Sequence, residues 1–355
     1  MGRVVLVTGV SRALGGRLVR ALATLPTVDR IVGVDVLPPR EDLHGAHFIR
    51  ADIRNPVIAK IIVAQDVDTV VHTGLLDPLV EGGGSATKEQ NVMGSMQLLA
   101  ACQRAPGLER FVLRSSARVY GSSSSDPAVF REETPPRVPP RSGLGRDLVE
   151  VEGYVRGFSR RRPDVTVTTL RMSEVLGPAV HGLVADLLRQ PVVSKPLGHD
   201  ARLQLLHAED ELGALVHATV ADVHGTFNVA ADGIVMLSQA ARRLGRPIVP
   251  VPSLALARGP VVSRGLTGRR LSADDVAFLT FGRGLDTRRM RHELAFEPSF
   301  STDQALDAFG ETIASGLLRD HPVEVLERAL AGGPSAESPA GPVGPESPGG
   351  EDDHG

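Results

Sequence analysis

Val4-Val5-Leu6-Val7-Thr8-Gly9-Val10-Ser11-Arg12-Ala13-Leu14-Gly15 is the stretch that decides the fold. Its aliphatic opening reads as a strand buried on both faces, and Leu14, Leu18, Leu22 and Leu25 then recur at helical spacing. Between strand and helix lies a glycine-bearing turn. Gly9 permits the sharp change of direction, and Gly15 permits close packing of helix on sheet. A helix that begins directly after such a turn presents unpaired N–H groups and the positive end of its dipole, which together favour an anion.

Working outward, Ile31 to Val34, His47 to Ile49, Thr69 to Val71, Phe111 to Leu113 and Val165 to Leu170 read as further apolar strands. Helical segments separate them, one of them started by Asn55-Pro56 with Ile58 and Ile62 on its apolar face. This alternation implies a parallel sheet covered on both faces with right-handed crossovers. The expected fold class is α/β, a Rossmann-type doubly wound parallel sheet over residues 1–176. From about Gly177 the rhythm changes, with turn signals at Pro191, Pro196-Leu197-Gly198 and Gly259-Pro260 and a helical pattern from Thr302 to Leu318. Residues 177–330 are therefore expected to form a smaller mixed α/β substrate lobe. It is interleaved with the first, because Gly225 to Ala230 reads as a strand returning to the main sheet. Residues 331–355, rich in Gly, Pro, Ser and acid, are expected to form a disordered tail.

Val34-Asp35 closes the second strand about twenty residues after the turn, where an acid accepts hydrogen bonds from adenosine ribose hydroxyls and repels a 2′-phosphate. The expected cofactor is NAD. Arg12 pulls the other way, since a guanidinium in the turn can pair with a 2′-phosphate, so NADP stays open. Asp52-Ile53, at the end of the third strand, is placed to hold the adenine amino group and cover its face.

The formal net charge of −3 supplies no basic field for nucleic acid or anionic lipid, so neither nucleic acid nor membrane is expected as a partner. No apolar run reaches the roughly 18 residues of a span, and the first one is too short for a signal peptide. Cys102 is the one cysteine, set in an apolar-periodic segment and expected to be a buried spectator. A cytoplasmic address is expected. No Cys, His and carboxylate grouping has metal-ligand spacing, so no metal is expected.

With Thr8 to Gly15, Asp35 and Ala51-Asp52-Ile53-Arg54 go Val70-Val71-His72, Asn91-Val92-Met93-Gly94-Ser95, and Ser115-Ser116-Ala117-Arg118-Val119-Tyr120-Gly121. Together they resemble the extended short-chain dehydrogenase/reductase superfamily, and within it the NAD-dependent epimerase/dehydratase family that includes UDP-glucose 4-epimerase. Leu170-Arg171 with Gly177-Pro178, His207 to Asp210, Phe227-Asn228-Val229 and Leu294 to Pro298 extend the likeness over roughly residues 3–315. The resemblance implies cofactor contacts from Thr8, Gly9, Ser11, Arg12, Leu14, Gly15, Asp35, Asp52, Ile53, His72, Asn91, Ser115 and Arg146. It also implies a small-molecule substrate of the nucleotide-sugar kind, and a homodimer joined through the helices near 88–104 and 142–160. Three departures stand out. Arg12 occupies the place of the family's middle glycine, Met172 and Glu174 replace the usual Pro and Asn after the strand-six Arg, and the catalytic pair is changed.

In the family a Ser holds the substrate oxygen, a Tyr acts as acid/base, and a Lys four residues later lowers the Tyr pKa and binds ribose. Ser116 falls on the serine. Ser142-Gly143-Leu144-Gly145-Arg146 aligns with the Tyr-Lys segment, so Ser142 takes the tyrosine place and Arg146 the lysine place. A serine hydroxyl titrates far above tyrosine's value of about 10 and needs a base of its own. Of 39 basic residues only Lys60, Lys88 and Lys195 are lysine, and the chain holds two tyrosines, Tyr120 and Tyr154. Tyr154 stands about 18 Å along the helix from Ser142, too far to substitute. Two functions are consistent with these residues. One is an enzyme on a nucleotide-sugar or similar alcohol, with Ser116, Ser142 and Arg146 as its catalytic set. The other is a binding or sensor protein that keeps the cofactor and has lost proton transfer.

Overall fold

The computed structural model describes residues 2–77, 84–257 and 271–314. The tail expected at 331–355, the last part of the helical pattern ending at Leu318 and the turn at Gly259-Pro260 lie outside them. Strand β1 (Arg3–Thr8) leads into helix α1 (Ala13–Ala23), followed by β2 (Val28–Asp35), β3 (His47–Arg50), α2 (Val57–Ala64) and β4 (Thr69–His72). A π-helical turn, Glu89–Met93, enters α3 (Gly94–Gln103), and β5 (Arg110–Ser116), α4 (Gly143–Arg161) and β6 (Thr166–Met172) complete the first run. Strand β7 (Gly225–Val229) returns to pair with β6, so the seven strands lie in the order β7-β6-β5-β4-β1-β2-β3, every neighbour pair parallel. The strand order reverses between β1 and β4, which opens a crevice at the carboxyl ends there.

Pleating divides the core between the two faces. Val5 and Val7 point into one layer with Leu18, Leu22, Val71, Leu170 and Phe227. Leu6 points into the other, with Ile58, Leu98, Phe111, Val151 and Phe158. Leu25 falls just beyond α1 and packs half-buried on the first layer. Asn55 starts α2 as expected, its Oδ1 accepting from Val57 N at 3.0 Å. Of the later helices α5 (Leu183–Arg189), α6 (Ala208–Val220), α7 (Ala273–Phe281) and α8 (Thr302–Thr312), α6 packs Ala214 and Leu215 into the first layer, and the others build a third apolar cluster with residues such as Leu187, Leu205, Leu279 and Phe309. Three two-stranded pairs serve this region: Glu174–Leu176 with Leu205–His207, Arg202–Leu203 with Val235–Met236, and Val193–Pro196 with Ile248–Val251.

Two glycines set the turn after β1. Gly9 has φ +80, and a Cβ there would meet Gly74 Cα at 2.7 Å; at Gly15 a Cβ would meet the Gly9 carbonyl oxygen at 2.2 Å. Both obstacles are backbone and cannot swing aside. Gly15→Ala is expected to lower the urea midpoint, with a loss of roughly 1–3 kcal/mol in unfolding free energy, while Gly107→Ala, where a Cβ meets nothing within 4 Å, leaves it close to wild type.

Candidate cofactor cleft

A cleft of about 740 Å³ runs over the carboxyl ends of β1, β2, β4, β5 and β6. The turn residues Gly9, Ser11, Arg12, Leu14 and Gly15 form its floor, and Ser116 its far end. Asp35 ends β2 beside the turn and does not itself line the cleft, but it is bonded to Ser11, which does. Its Oδ2 accepts from Ser11 N at 3.1 Å and from Ser11 Oγ at 2.6 Å, and its Oδ1 accepts from Val36 N at 2.7 Å. These bonds hold the carboxylate in one orientation, fill the two acceptor sites of Oδ2 and leave acceptor capacity on Oδ1. At the N-cap of α1 Arg12 makes no side-chain capping bond, and the first turn of α1 carries no acid, so the positive helix end faces the cleft without a competing carboxylate of its own.

Several residues expected at the cofactor lie a layer lower. Thr8, His72, Asn91 and Ser115 are buried beneath the cleft and do not line it. Thr8 Oγ1 donates to His72 Nδ1 at 2.7 Å, His72 Nε2 donates to Ser95 Oγ at 2.9 Å, and Ser95 Oγ donates to the Asn91 carbonyl at 2.5 Å. Because Ser95 spends its proton on Asn91, this chain assigns the His72 proton to Nε2. Burial pushes the His72 pKa down to about 4, so the ring is neutral near pH 7. The Asn91 side chain brackets the segment after β4 through Leu76 N and O at 2.8 and 2.9 Å, and donates to Asp147 at 3.1 Å. Ser115 turns inward, donating to Glu152 at 2.7 Å. Asp52 also departs from expectation: its carboxylate is held bidentate by Arg54, whose hydrogen bonds keep it below the usual carboxylate range, and Ile53 is buried. Neither lines the cleft.

The three residues expected to share a catalytic centre are each engaged by a different partner. Ser116 is on the cleft, its Oγ accepting from Arg118 N at 3.3 Å. Ser142 instead lines a small cavity of about 30 Å³ that adjoins the cleft, sharing Arg118, Leu144 and Glu174 with it. Its Oγ and N both donate to Asp274 at 2.7 Å, so a carboxylate from the first turn of α7 occupies the hydroxyl. The physical reason is reach: serine lacks the ring that would carry an oxygen toward Ser116. Arg146 donates to Asp147 at 3.0 Å. Tyr120 is 1% exposed, its hydroxyl donating to Asn228 and accepting from Arg171, both at 2.7 Å. Burial raises its pKa to about 12. Burial likewise raises the Cys102 thiol to about 12.

Other cleft residues carry no strong local signal: Thr73, Leu75 and Asp77 after β4, Arg114 and Arg118 around β5, and Ser173 and Glu174 after β6. Arg114 was the most legible, since a charge inside an apolar strand must meet a partner, here Glu211 at 2.7 Å. Among the described residues no group of His, Cys, Asp and Glu is arranged to hold a metal, and no helix is long and apolar enough to cross a membrane.

The seven-stranded parallel sheet with a glycine turn at its switch point defines a dinucleotide-fold protein of the short-chain dehydrogenase/reductase type. The model of the NAD dependent epimerase/dehydratase family matches residues 5–230, and the chain belongs to that family. An uncharacterized protein of Mycobacterium tuberculosis is 47% identical over 312 residues, covering 86% of this chain and 83% of the relative. Among solved structures, UDP-glucose 4-epimerase with UDP-glucose from Thermotoga maritima superposes with a TM-score of 0.68 at 19% identity, covering 87% of this chain and 98% of that one. UDP-glucuronic acid 4-epimerase from Bacillus cereus, in complex with UDP-glucuronic acid and NAD, gives 0.65 at 19% identity, covering 87% and 98%. At these identities the likeness is one of fold.

The buried histidine sets a pH dependence. Its folded pKa of about 4 lies below histidine's ordinary value of 6.5, so the unfolded chain takes up a proton first as pH falls and the folded state loses stability between the two. At about 1.4 kcal/mol per unit the loss approaches 3 kcal/mol at pH 4. His72→Gln, which cannot titrate, is expected to flatten that part of the acid limb in urea unfolding followed from pH 7 to pH 4.

Proposed function

We propose that the protein binds NAD across the cleft and holds a polar ligand of the nucleotide-sugar kind beside Ser116, without the tyrosine-dependent proton transfer of its family. The observation that carries the cofactor reading is the Ser11–Asp35 pair, with bonds of 2.6 and 3.1 Å, at the rim of a glycine turn whose Gly9 and Gly15 leave no room for a Cβ. That cradle fits a pyrophosphate over the N-terminus of α1, with Asp35 accepting from ribose hydroxyls and repelling a 2′-phosphate. When bound, NAD supplies a hydride acceptor. Leu14 would lie beside the pyrophosphate, and Thr73 and Leu75 line the cleft along with Ser116.

Loss of proton transfer is supported by the groups that could replace the tyrosine. Ser142 is tied to Asp274, Tyr120 is buried with its pKa at about 12, and His72 is buried with its pKa at about 4. None of the three is a base near neutral pH within the cleft. Residues from 177 onward form the facing lobe in this reading, with Pro178 to Gly182 along the cleft wall. Met93, Met96 and Tyr154, exposed on and beside the packed helices α3 and α4, support a homodimer through that pair. A cytoplasmic setting accompanies the proposal, consistent with a single cysteine.

Calorimetry with NAD, NADH, NADP and NADPH tests the cofactor: NAD(H) is expected to bind more tightly, and Asp35→Ala to narrow the difference. Tighter NADPH binding sinks it and promotes Arg12 to the 2′-phosphate contact. Wild type is expected to show no UDP-glucose/UDP-galactose interconversion, and turnover at an ordinary rate of about 1 per second would overturn the loss of proton transfer.

A further inference from the structure

At the sugar end of the cleft, polar groups converge from two strand ends. Ser116 closes β5, and Ser173 with Glu174 follows directly on β6, whose Met172 is in register with Ser116. Ser116 Oγ accepts from Arg118 N, so its proton is available to a ligand oxygen. Ser173 lines the same cleft, is 8% exposed, and its buried Oγ has no hydrogen-bond partner. An orphaned hydroxyl in a cleft wall carries a desolvation cost that a ligand hydrogen bond would relieve. The guanidinium of Arg118 faces this end, but carboxylates already surround it: Asp77 at 3.1 Å on Nη1, Glu174 at 3.5 Å on Nε, and Asp275 at 4.0 Å. Their attraction outweighs the effect of burial and holds the Arg118 pKa above its ordinary value.

We propose that this end of the cleft selects a neutral, hydroxyl-bearing sugar ring and discriminates against an anionic one such as a hexuronate. The selection rests on the nucleotide-sugar reading above and deepens it. Ser116 and Ser173 offer hydroxyls that can donate to and accept from ring hydroxyls. A ligand carboxylate meets the Glu174 carboxylate beside them and an arginine already engaged, so it loses hydration without gaining a partner. The family's neutral asparagine at this place leaves that choice open; Glu174 makes it.

UDP-glucose and UDP-glucuronate share their nucleotide and differ at one carbon, so their ratio of affinities isolates the sugar end. Titrated into wild-type protein saturated with NAD, UDP-glucose is expected to bind at least about tenfold more tightly. Glu174→Gln, which frees Arg118 Nε for a ligand, is expected to bring UDP-glucuronate to within about threefold of UDP-glucose, and Ser173→Ala to weaken UDP-glucose while leaving NAD affinity unchanged. If thermal unfolding shows that Glu174→Gln does not fold, the wild-type ratio and Ser173→Ala decide. UDP-glucuronate binding as tightly as UDP-glucose to wild type overturns the selection and leaves the parent reading standing. Binding of neither sugar nucleotide overturns the nucleotide-sugar reading and the selection with it.

Discussion

The buried ion pair between Arg171 and Glu152 is the interaction on which the site's architecture depends. Arg171 rises from β6 and meets Glu152 of α4 through two bonds of 3.0 and 2.6 Å. Its third arm donates to the Tyr120 hydroxyl at 2.7 Å and the Glu132 carbonyl at 2.8 Å. Glu152 also takes the Ser115 hydroxyl. One pair thus ties the end of β5, the loop around 132 and the long helix together. Removing one partner of such a pair leaves an uncompensated buried charge, typically at a cost of about 3–5 kcal/mol. The geometric effect matters as much, because committing Ser115 to Glu152 turns it inward and leaves its neighbour Ser116 on the cleft.

A second buried chain works beside it. Thr8, His72, Ser95 and the Asn91 backbone form one run of hydrogen bonds, and the Asn91 side chain continues through Asp147 to Arg146. It connects the glycine turn to the first turns of α4. The start of α4 is thereby fixed relative to the glycine turn. With no ring at Ser142, the helix end is held by Asp274, which also accepts from Arg141 N at 2.9 Å. Ser142 serves here as a junction between α4 and α7.

Much of this was legible in the residues. The apolar strands, the glycine turn, Asp35 at the end of β2 and the returning strand at 225–229 all follow from local rules of propensity, spacing and turn chemistry, and the main sheet contains them. Residues such as His72 and Asn91 were legible as positions and misleading as contacts. A motif shows that a side chain matters near a site, but whether it faces the ligand or supports the layer below depends on the pleat and on what packs behind it. Asp52 illustrates the same limit, since Arg54 two residues later captures it in a local bidentate pair.

The sequence by itself determined the class of fold and the place of the dinucleotide turn, because each is written in contiguous residues. Only the tertiary structure decided which groups meet. Asp274 reaches Ser142 across 132 residues, Glu211 reaches Arg114 across 97, and Arg118 gathers Asp77 and Glu174 from the ends of different strands. Contacts of that kind arise from strand order and lobe packing, which bring distant segments within hydrogen-bond range, and no local pattern in the chain records the distances they span.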